Sequence, residues 1–109
     1  MSDFDTVPAA EVPDDAAVLD VREAYEFEVG HAAGAKHIPV DEVPDRFDAE
    51  LDPDEDYYVI CRTGGRSVQI AGWLTAQGYS VMLVGGGYDG WVTAEKPLSS
   101  VTGEEPRIL

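Results

Sequence analysis

Short, almost entirely apolar segments alternate with segments of helical periodicity along this 109-residue chain. Apolar strands of this kind have no polar face to turn to water, so they belong in a parallel sheet that is covered on both faces. The predicted strands are residues 6–8, 16–21, 35–38, 57–60 and 80–84, the first at an edge because it ends in proline. The predicted helices are residues 22–29, 41–47, 67–77 and 88–94. We therefore expect an α/β fold, with a small parallel sheet of about four to five strands and helices on both faces.

The length and the 44% apolar content fit one domain with a buried core. We predict a single domain over residues 1–109, with its core at about residues 5–98, a short acidic N-terminus and a polar C-terminal tail from Ser99. No apolar run approaches the ~20 residues that span a bilayer, and residues 1–15 lack the pattern of a secretory leader. The single cysteine cannot form an internal disulfide. We expect a cytoplasmic protein with no membrane partner.

The charge is strongly unbalanced, with 7 Lys and Arg against 22 Asp and Glu and a net charge of −15. Nucleic acid is an unfavourable partner, because phosphate binding needs a basic surface. One interpretation is a soluble, self-repelling surface, which favours a monomer. The other is adaptation to high salt, which predicts that full stability needs molar salt. On either interpretation, the net charge of the protein indicates its environment and does not indicate which reaction it catalyses.

The only cysteine, Cys61, stands where the clearest predicted strand ends and the clearest helix is about to begin. Ligands of parallel α/β sheets bind beyond the carboxyl ends of the strands, so this is a favourable place for a reactive group. A free cysteine is more often a small buried hydrophobe, and the interpretation therefore depends on its neighbours. The residues that follow it are Arg62, Thr63, Gly64, Gly65, Arg66 and Ser67.

These neighbours favour a reactive thiol. Gly64 and Gly65 permit backbone conformations in which successive N–H groups face one point and form an anion nest. Arg62 and Arg66 add permanent positive charge, so the loop can attract an anion despite the net charge of the protein. Ser67 is a candidate cap for the helix that follows. We expect this setting to favour the nucleophilic thiolate of Cys61.

Five motifs in order carry a family resemblance over about residues 5–98. They are residues 19–23 (Leu-Asp-Val-Arg-Glu), 26–27 (Glu-Phe), 30–39 (from Gly-His to Ile-Pro), 61–67 and 85–91 (Gly-Gly-Gly-Tyr-Asp-Gly-Trp). In these motifs the chain resembles a single-domain rhodanese, a sulfurtransferase module. The resemblance implies an enzyme that needs no cofactor and moves a sulfane sulfur from thiosulfate or a persulfide donor to a thiol or cyanide.

The resemblance also implies roles for the loop residues. Cys61 would be the nucleophile and the persulfide carrier. The N–H groups of residues 62–67 would hold the thiolate or persulfide. Arg62 and Arg66 would attract the oxygens of the donor, and Arg66 could also brace the loop.

Loop length separates related chemistries. Six residues run from Cys61 to Arg66 inclusive, whereas related phosphatases have one residue more between their Cys and Arg. The tighter loop suits one sulfur atom, which favours sulfur transfer over phosphatase or arsenate-reductase chemistry. An inactive regulatory domain is disfavoured because Cys61 is present. The alternative that stays open is a carrier or interaction module that receives sulfur from one protein and passes it to another.

Other polar residues near the predicted strand ends have structural or supporting interpretations. Asp20 and Arg22 could form an ion pair that supports the loop, or they could be an ordinary charged strand end. His31 lies beside a small-residue turn, where a loop-fixing hydrogen bond is the better interpretation, and His37 receives no role. Two histidines and one cysteine so far apart do not predict a metal site.

Overall fold

A computed structural model describes residues 4–109, so the first three residues of the predicted acidic N-terminus lie outside the described residues. In chain order, the strands are β1 (Asp5–Pro8), β2 (Ala17–Asp20), β3 (His31–Ala32), β4 (Lys36–His37), β5 (Asp56–Ile60), β6 (Ser80–Gly85) and β7 (Leu98–Ser99). The α-helices are α1 (Ala24–Val29), α2 (Val43–Glu50), α3 (Gly65–Ala76) and α4 (Gly87–Thr93), and short 3-10 turns span Ala9–Glu11 and Val40–Glu42.

The main sheet has five parallel strands in the order β1-β6-β5-β2-β4, which confirms the predicted architecture. At its centre, Val59 of β5 pairs with Leu19 of β2 on one side and Leu83 of β6 on the other. Because all five strands run the same way, their carboxyl ends meet at one edge. That edge is where ligands of such sheets bind.

Side chains of successive strand residues point to opposite faces, and each face has its own core. Along β5, Tyr57 and Val59 pack with α2 and α3, in the larger cluster that includes Ile70 and Leu74. On the other face, Ile60 packs against α4 in the cluster that also includes Tyr88, Trp91, Val84 and Val18. The alternation places the next residue, Cys61, on the face covered by α3.

Several element ends differ from the sequence prediction. α1 begins at Ala24 and not at residue 22, because Glu23 and Glu26 form a capping box that fixes the start of the helix. α3 begins at Gly65 with Gly64 as its N-cap, so the prediction that Ser67 caps this helix is wrong. Ser67 lies within the first turn instead. α2 spans Val43–Glu50 and not the predicted residues 41–47, so it ends three residues later than expected.

The predicted polar tail packs against the domain. β7 pairs antiparallel with β3, and the Val101 N–H donates to the Glu28 carbonyl at 2.9 Å. Farther along, the Arg107 N–H donates to the Val29 carbonyl at 3.0 Å, and Ile108 packs against the core cluster of α4. The core therefore extends past residue 98.

Among residues 4–109, no helix combines the length and the apolar character that crossing a bilayer requires.

Candidate functional site

Cys61 is the first residue after β5, at the carboxyl edge of the sheet, and it is 1% exposed. Its sulfur lies inside the loop that the sequence predicted. The Gly64 N–H donates to Sγ at 3.0 Å and the Ser67 N–H at 3.4 Å. The Ser67 hydroxyl oxygen lies 3.2 Å from Sγ. Three polar groups therefore converge on one sulfur atom, the arrangement that stabilises a thiolate or a persulfide.

The loop backbone depends on one of its two glycines. Gly64 has a φ of +127°, a conformation that residues with a side chain rarely adopt, and it turns the chain into α3. Gly65 already has helical geometry, and a Cβ there would meet open space. The expectation that both glycines are needed for their conformation therefore holds for Gly64 alone.

A neighbouring glycine brings α4 against the active loop. A Cβ at Gly87 would overlap with the Cys61 carbonyl oxygen, so only glycine permits this approach. The next residue, Tyr88, donates its N–H to the carbonyls of Cys61 at 3.0 Å and Arg62 at 3.1 Å. These contacts fix the first peptides of the loop from the α4 side.

Arg66 reaches across from α3 to α1. Its Nη1 lies 2.7 Å from Glu26 Oε1 and its Nη2 lies 3.1 Å from Oε2, a bidentate pair. The hydrogen bonds that Arg66 donates to Glu26 raise the pKa of Arg66. Burial alone would raise the pKa of Glu26, but the Arg66 guanidinium and the Glu23 N–H outweigh it and hold that pKa below its usual value. Both groups are charged at neutral pH.

Arg62 also meets a carboxylate. Its Nη1 contacts Asp89 Oδ1 in the first turn of α4, and its Nε donates to the Leu109 carbonyl at 2.7 Å. Beside this pair, Thr63 and Asp89 line an open surface groove of about 680 Å³. The two arginines predicted to attract a donor are therefore already paired within the chain.

Asp20 and Arg22 form the brace that was one of the two interpretations from sequence. Both side chains are fully buried, with Arg22 Nη2 2.8 Å from Asp20 Oδ2. Burial lowers the pKa of Arg22, but the hydrogen bond and charge of Asp20 prevail and raise it. The Tyr88 hydroxyl donates to Asp20 Oδ2 at 2.7 Å and accepts the Ala32 N–H at 2.8 Å. This network connects the ends of β2 and α4 beneath the loop.

The histidines fix local structure. His31 Nδ1 hydrogen-bonds the Phe27 carbonyl at 2.7 Å, the loop-fixing contact that was expected. His37 Nε2 lies 2.7 Å from the Arg22 carbonyl, and the Phe27 ring stacks between the two imidazoles. In the part of the chain that the structure describes, no three His, Cys, Asp or Glu residues are grouped to hold a metal ion.

Sequence reasoning assigned no role to Glu26 and Asp89 at this site. Glu26 had a detectable signal, since a Glu three positions after Glu23 at a helix start is a capping pattern. That signal predicts a cap and not a partner for Arg66, which is 40 positions away. Asp89 is 27 positions from Arg62, and no local pattern connects them.

A family model described as the rhodanese-like domain matches residues 9–94. The chain belongs to the rhodanese-like family. The match covers every strand of the main sheet except β1, and it includes the whole Cys61 loop.

Rhodanese-like relatives include proteins of similar length. The chain is 34% identical over 87 residues to the putative sulfurtransferase YtwF of Bacillus subtilis, covering 80% of this chain and 84% of that protein. It is also 34% identical over 97 residues to the thiosulfate sulfurtransferase GlpE of Pseudomonas putida, covering 84% and 87% respectively. A chloroplastic rhodanese-like/PpiC domain-containing protein 12 of Arabidopsis thaliana is 40% identical over 79 residues, but the chain spans only 26% of it.

A solved rhodanese-like structure has the same fold. The rhodanese-related protein of Thermoplasma volcanium superposes with a TM-score of 0.82 at 30% identity, covering 88% of this chain and 98% of that one. The likeness thus includes both the fold and membership of the rhodanese-like family.

Proposed function

We propose that this chain is a sulfurtransferase that carries a sulfane sulfur as a persulfide on Cys61. The observation that carries the proposal is the convergence of the Gly64 and Ser67 N–H groups on Sγ, at 3.0 and 3.4 Å. Such donors stabilise negative charge on sulfur, both before a donor is attacked and after the persulfide has formed. The names of the relatives, which include sulfurtransferases, support the same chemistry.

The reaction has two displacement steps. The Cys61 thiolate attacks the outer sulfur of a donor such as thiosulfate; the new S–S bond forms as the donor's S–S bond breaks, and its electron pair leaves with sulfite. An acceptor thiolate, or cyanide, then attacks the terminal sulfur and regenerates the Cys61 thiolate. The neighbouring amides would hold charge on sulfur in both states, so the same two donors would serve both steps.

The second candidate is a carrier that receives sulfur from one protein and delivers it to another without rapid turnover on small molecules. The observation that supports this alternative is a likeness to the putative sulfur carrier protein YrkF of Bacillus subtilis, which is 40% identical to this chain over 66 residues. The chemistry on Cys61 is the same in both cases, and only the partners differ.

Turnover separates the two candidates. Purified protein is given cyanide with thiosulfate, and separately with an alkyl persulfide. Thiocyanate formed above the protein-free background is measured alongside a Cys61→Ser variant. Sustained turnover that disappears in the variant supports the enzyme. A single equivalent of thiocyanate per chain, also absent from the variant, supports the carrier. Thiocyanate formation that is equal in wild type and variant contradicts both.

A further inference from the structure

The active loop contains two cationic side chains, and each is held by a carboxylate from another element. Arg66 pairs with Glu26 of α1, and Arg62 pairs with Asp89 of α4. The sequence of residues 61–67 contains no further Lys or Arg. A donor that approaches Cys61 therefore meets two neutralised ion pairs on a protein with a net charge of −15.

Glu26 is a fixed part of the site. It is 6% exposed, and its Oε1 accepts both the Arg66 guanidinium and the Glu23 N–H, the latter at 3.0 Å. Its backbone N–H in turn bonds the Glu23 side chain in the capping box. A carboxylate with this many donors stays ionised and in place when a competing anion arrives.

Asp89 is a weaker partner. Its side chain is 62% exposed at the open groove beside Thr63, and exposed ion pairs contribute little to stability. A bound anion can take Arg62 away from Asp89 at small cost. The negative charge of Asp89 nevertheless remains beside the loop, and it repels an anionic donor.

The charge of the donor determines how strongly these carboxylates repel it. Thiosulfate carries two negative charges and releases a dianion, sulfite, so its Coulomb repulsion from each carboxylate is about twice that of a monoanion. An alkyl persulfide carries at most one negative charge. The Cys61 thiolate attacks its terminal sulfur, the new S–S bond forms, and the old one breaks with its electron pair leaving on a single thiolate.

We propose that Glu26 and Asp89 are specificity-determining residues that make this site select sulfane-sulfur donors of low negative charge, the alkyl persulfides, over dianionic thiosulfate. The inference rests on the proposed function of Cys61. In this proposal, two carboxylates outside the loop determine which donor reacts faster, although both donors undergo the same sulfur chemistry.

The test compares rate constants for sulfur transfer to Cys61 from two probes, thiosulfate and 2-hydroxyethyl persulfide. Glu26→Gln removes one negative charge and keeps the helix start, because Gln also satisfies a capping box. Asp89→Asn also removes one negative charge, at an exposed position. We expect Glu26→Gln to raise the thiosulfate rate constant relative to the persulfide rate constant by about tenfold, and Asp89→Asn, because of that exposure, by about threefold.

The matched control is Asp54→Asn, which makes the same charge change in an exposed loop before β5, at the opposite edge of the sheet from Cys61. Its donor ratio should equal that of the wild type. Added salt should narrow the difference between donors in the wild type, because it screens the repulsion.

A ratio unchanged in both carboxylate variants, or a fall in thiosulfate use in Glu26→Gln protein that is still folded, would overturn the inference. If Glu26→Gln does not fold, the donor ratio of Asp89→Asn alone tests the inference. A different outcome is that neither probe places sulfur on Cys61 in folded wild-type protein. That result would contradict the proposed function itself.

Discussion

The α-carbon of Gly30 packs directly on the backbone of Arg107, and a Cβ at Gly30 would overlap with the Arg107 carbonyl oxygen. Gly30 has extended backbone geometry, with φ at 179°, so its conformation does not require glycine. Glycine is needed here because the C-terminal segment lies against it. From this contact the segment continues to Leu109, whose carbonyl accepts a hydrogen bond from Arg62 in the active loop.

Gly30→Ala should therefore displace the C-terminal segment while leaving the core in place. Overpacking of this kind costs about 1–3 kcal/mol, which corresponds to roughly 5- to 150-fold faster hydrogen exchange at the Arg107 amide. Exchange of peptides from residues 100–109 measures it. The control is Gly72→Ala in α3, where a Cβ meets only ordinary contacts and helix propensity rises. Unchanged exchange in Gly30→Ala would show that the segment does not depend on this contact.

Removal of the Tyr88 hydroxyl should destabilise the fold through the buried Asp20–Arg22 brace. Tyr88→Phe removes a donor from Asp20 and leaves the Ala32 N–H without its acceptor, an expected loss of about 1–3 kcal/mol. Urea unfolding measures this loss. Tyr25 is 64% exposed, so Tyr25→Phe should change the free energy of unfolding by less than about 0.5 kcal/mol. Equal effects of the two variants would contradict the structural role of the network.

The Ser67 hydroxyl should assist sulfur chemistry directly. Its oxygen lies 3.2 Å from Cys61 Sγ and 3.1 Å from the Gly64 carbonyl, so its proton can bond the sulfur when that atom is charged. Loss of one such bond, about 1 kcal/mol, predicts that Ser67→Ala forms the persulfide about fivefold more slowly. Single-turnover kinetics measure the rate. The hydroxyl of Thr75, in the last turns of the same helix, bonds the Ala71 carbonyl. Thr75→Ala should therefore leave the rate unchanged.

The Glu26–Arg66 pair should give stability a specific dependence on pH. The folded-state pKa of Glu26 is lowered from its ordinary value of 4.5, because Arg66 and the Glu23 N–H outweigh burial. Its contribution is therefore complete above pH ~4.5 and is lost as pH falls through the folded-state pKa. Wild type should exceed Glu26→Gln in free energy of unfolding at pH ~7, and the difference should shrink below pH ~4.5. A difference that grows in acid would contradict the pairing.

Local patterns predicted the part of the site that lies in one stretch of chain. The strand of β5, the loop after Cys61 and the helix α3 are consecutive, so residue types and spacing were enough to place them. Ser67 lies at the sulfur, but its predicted capping role was wrong, because α3 starts two residues before it and its hydroxyl faces the sulfur.

The remaining features of the site and the fold depend on contacts between segments that are distant in the sequence. Glu26 and Asp89 meet the loop arginines across gaps that no periodicity reveals, and residues 99–109 have the polar composition of a tail although Ile108 packs on the core. The two-residue strands β3 and β7 are too short to carry an alternating pattern. Adaptation to high salt, a monomeric state and a cytoplasmic location stay predictions.

The most direct measurement of the central claim is the intact mass of the protein after exposure to an alkyl persulfide. The account predicts that the wild type gains one sulfur atom, that digestion places it on Cys61, and that a thiol acceptor removes it. Cys61→Ser should gain none. A folded wild-type protein that gains no sulfur, or that carries it equally well without Cys61, would contradict the account.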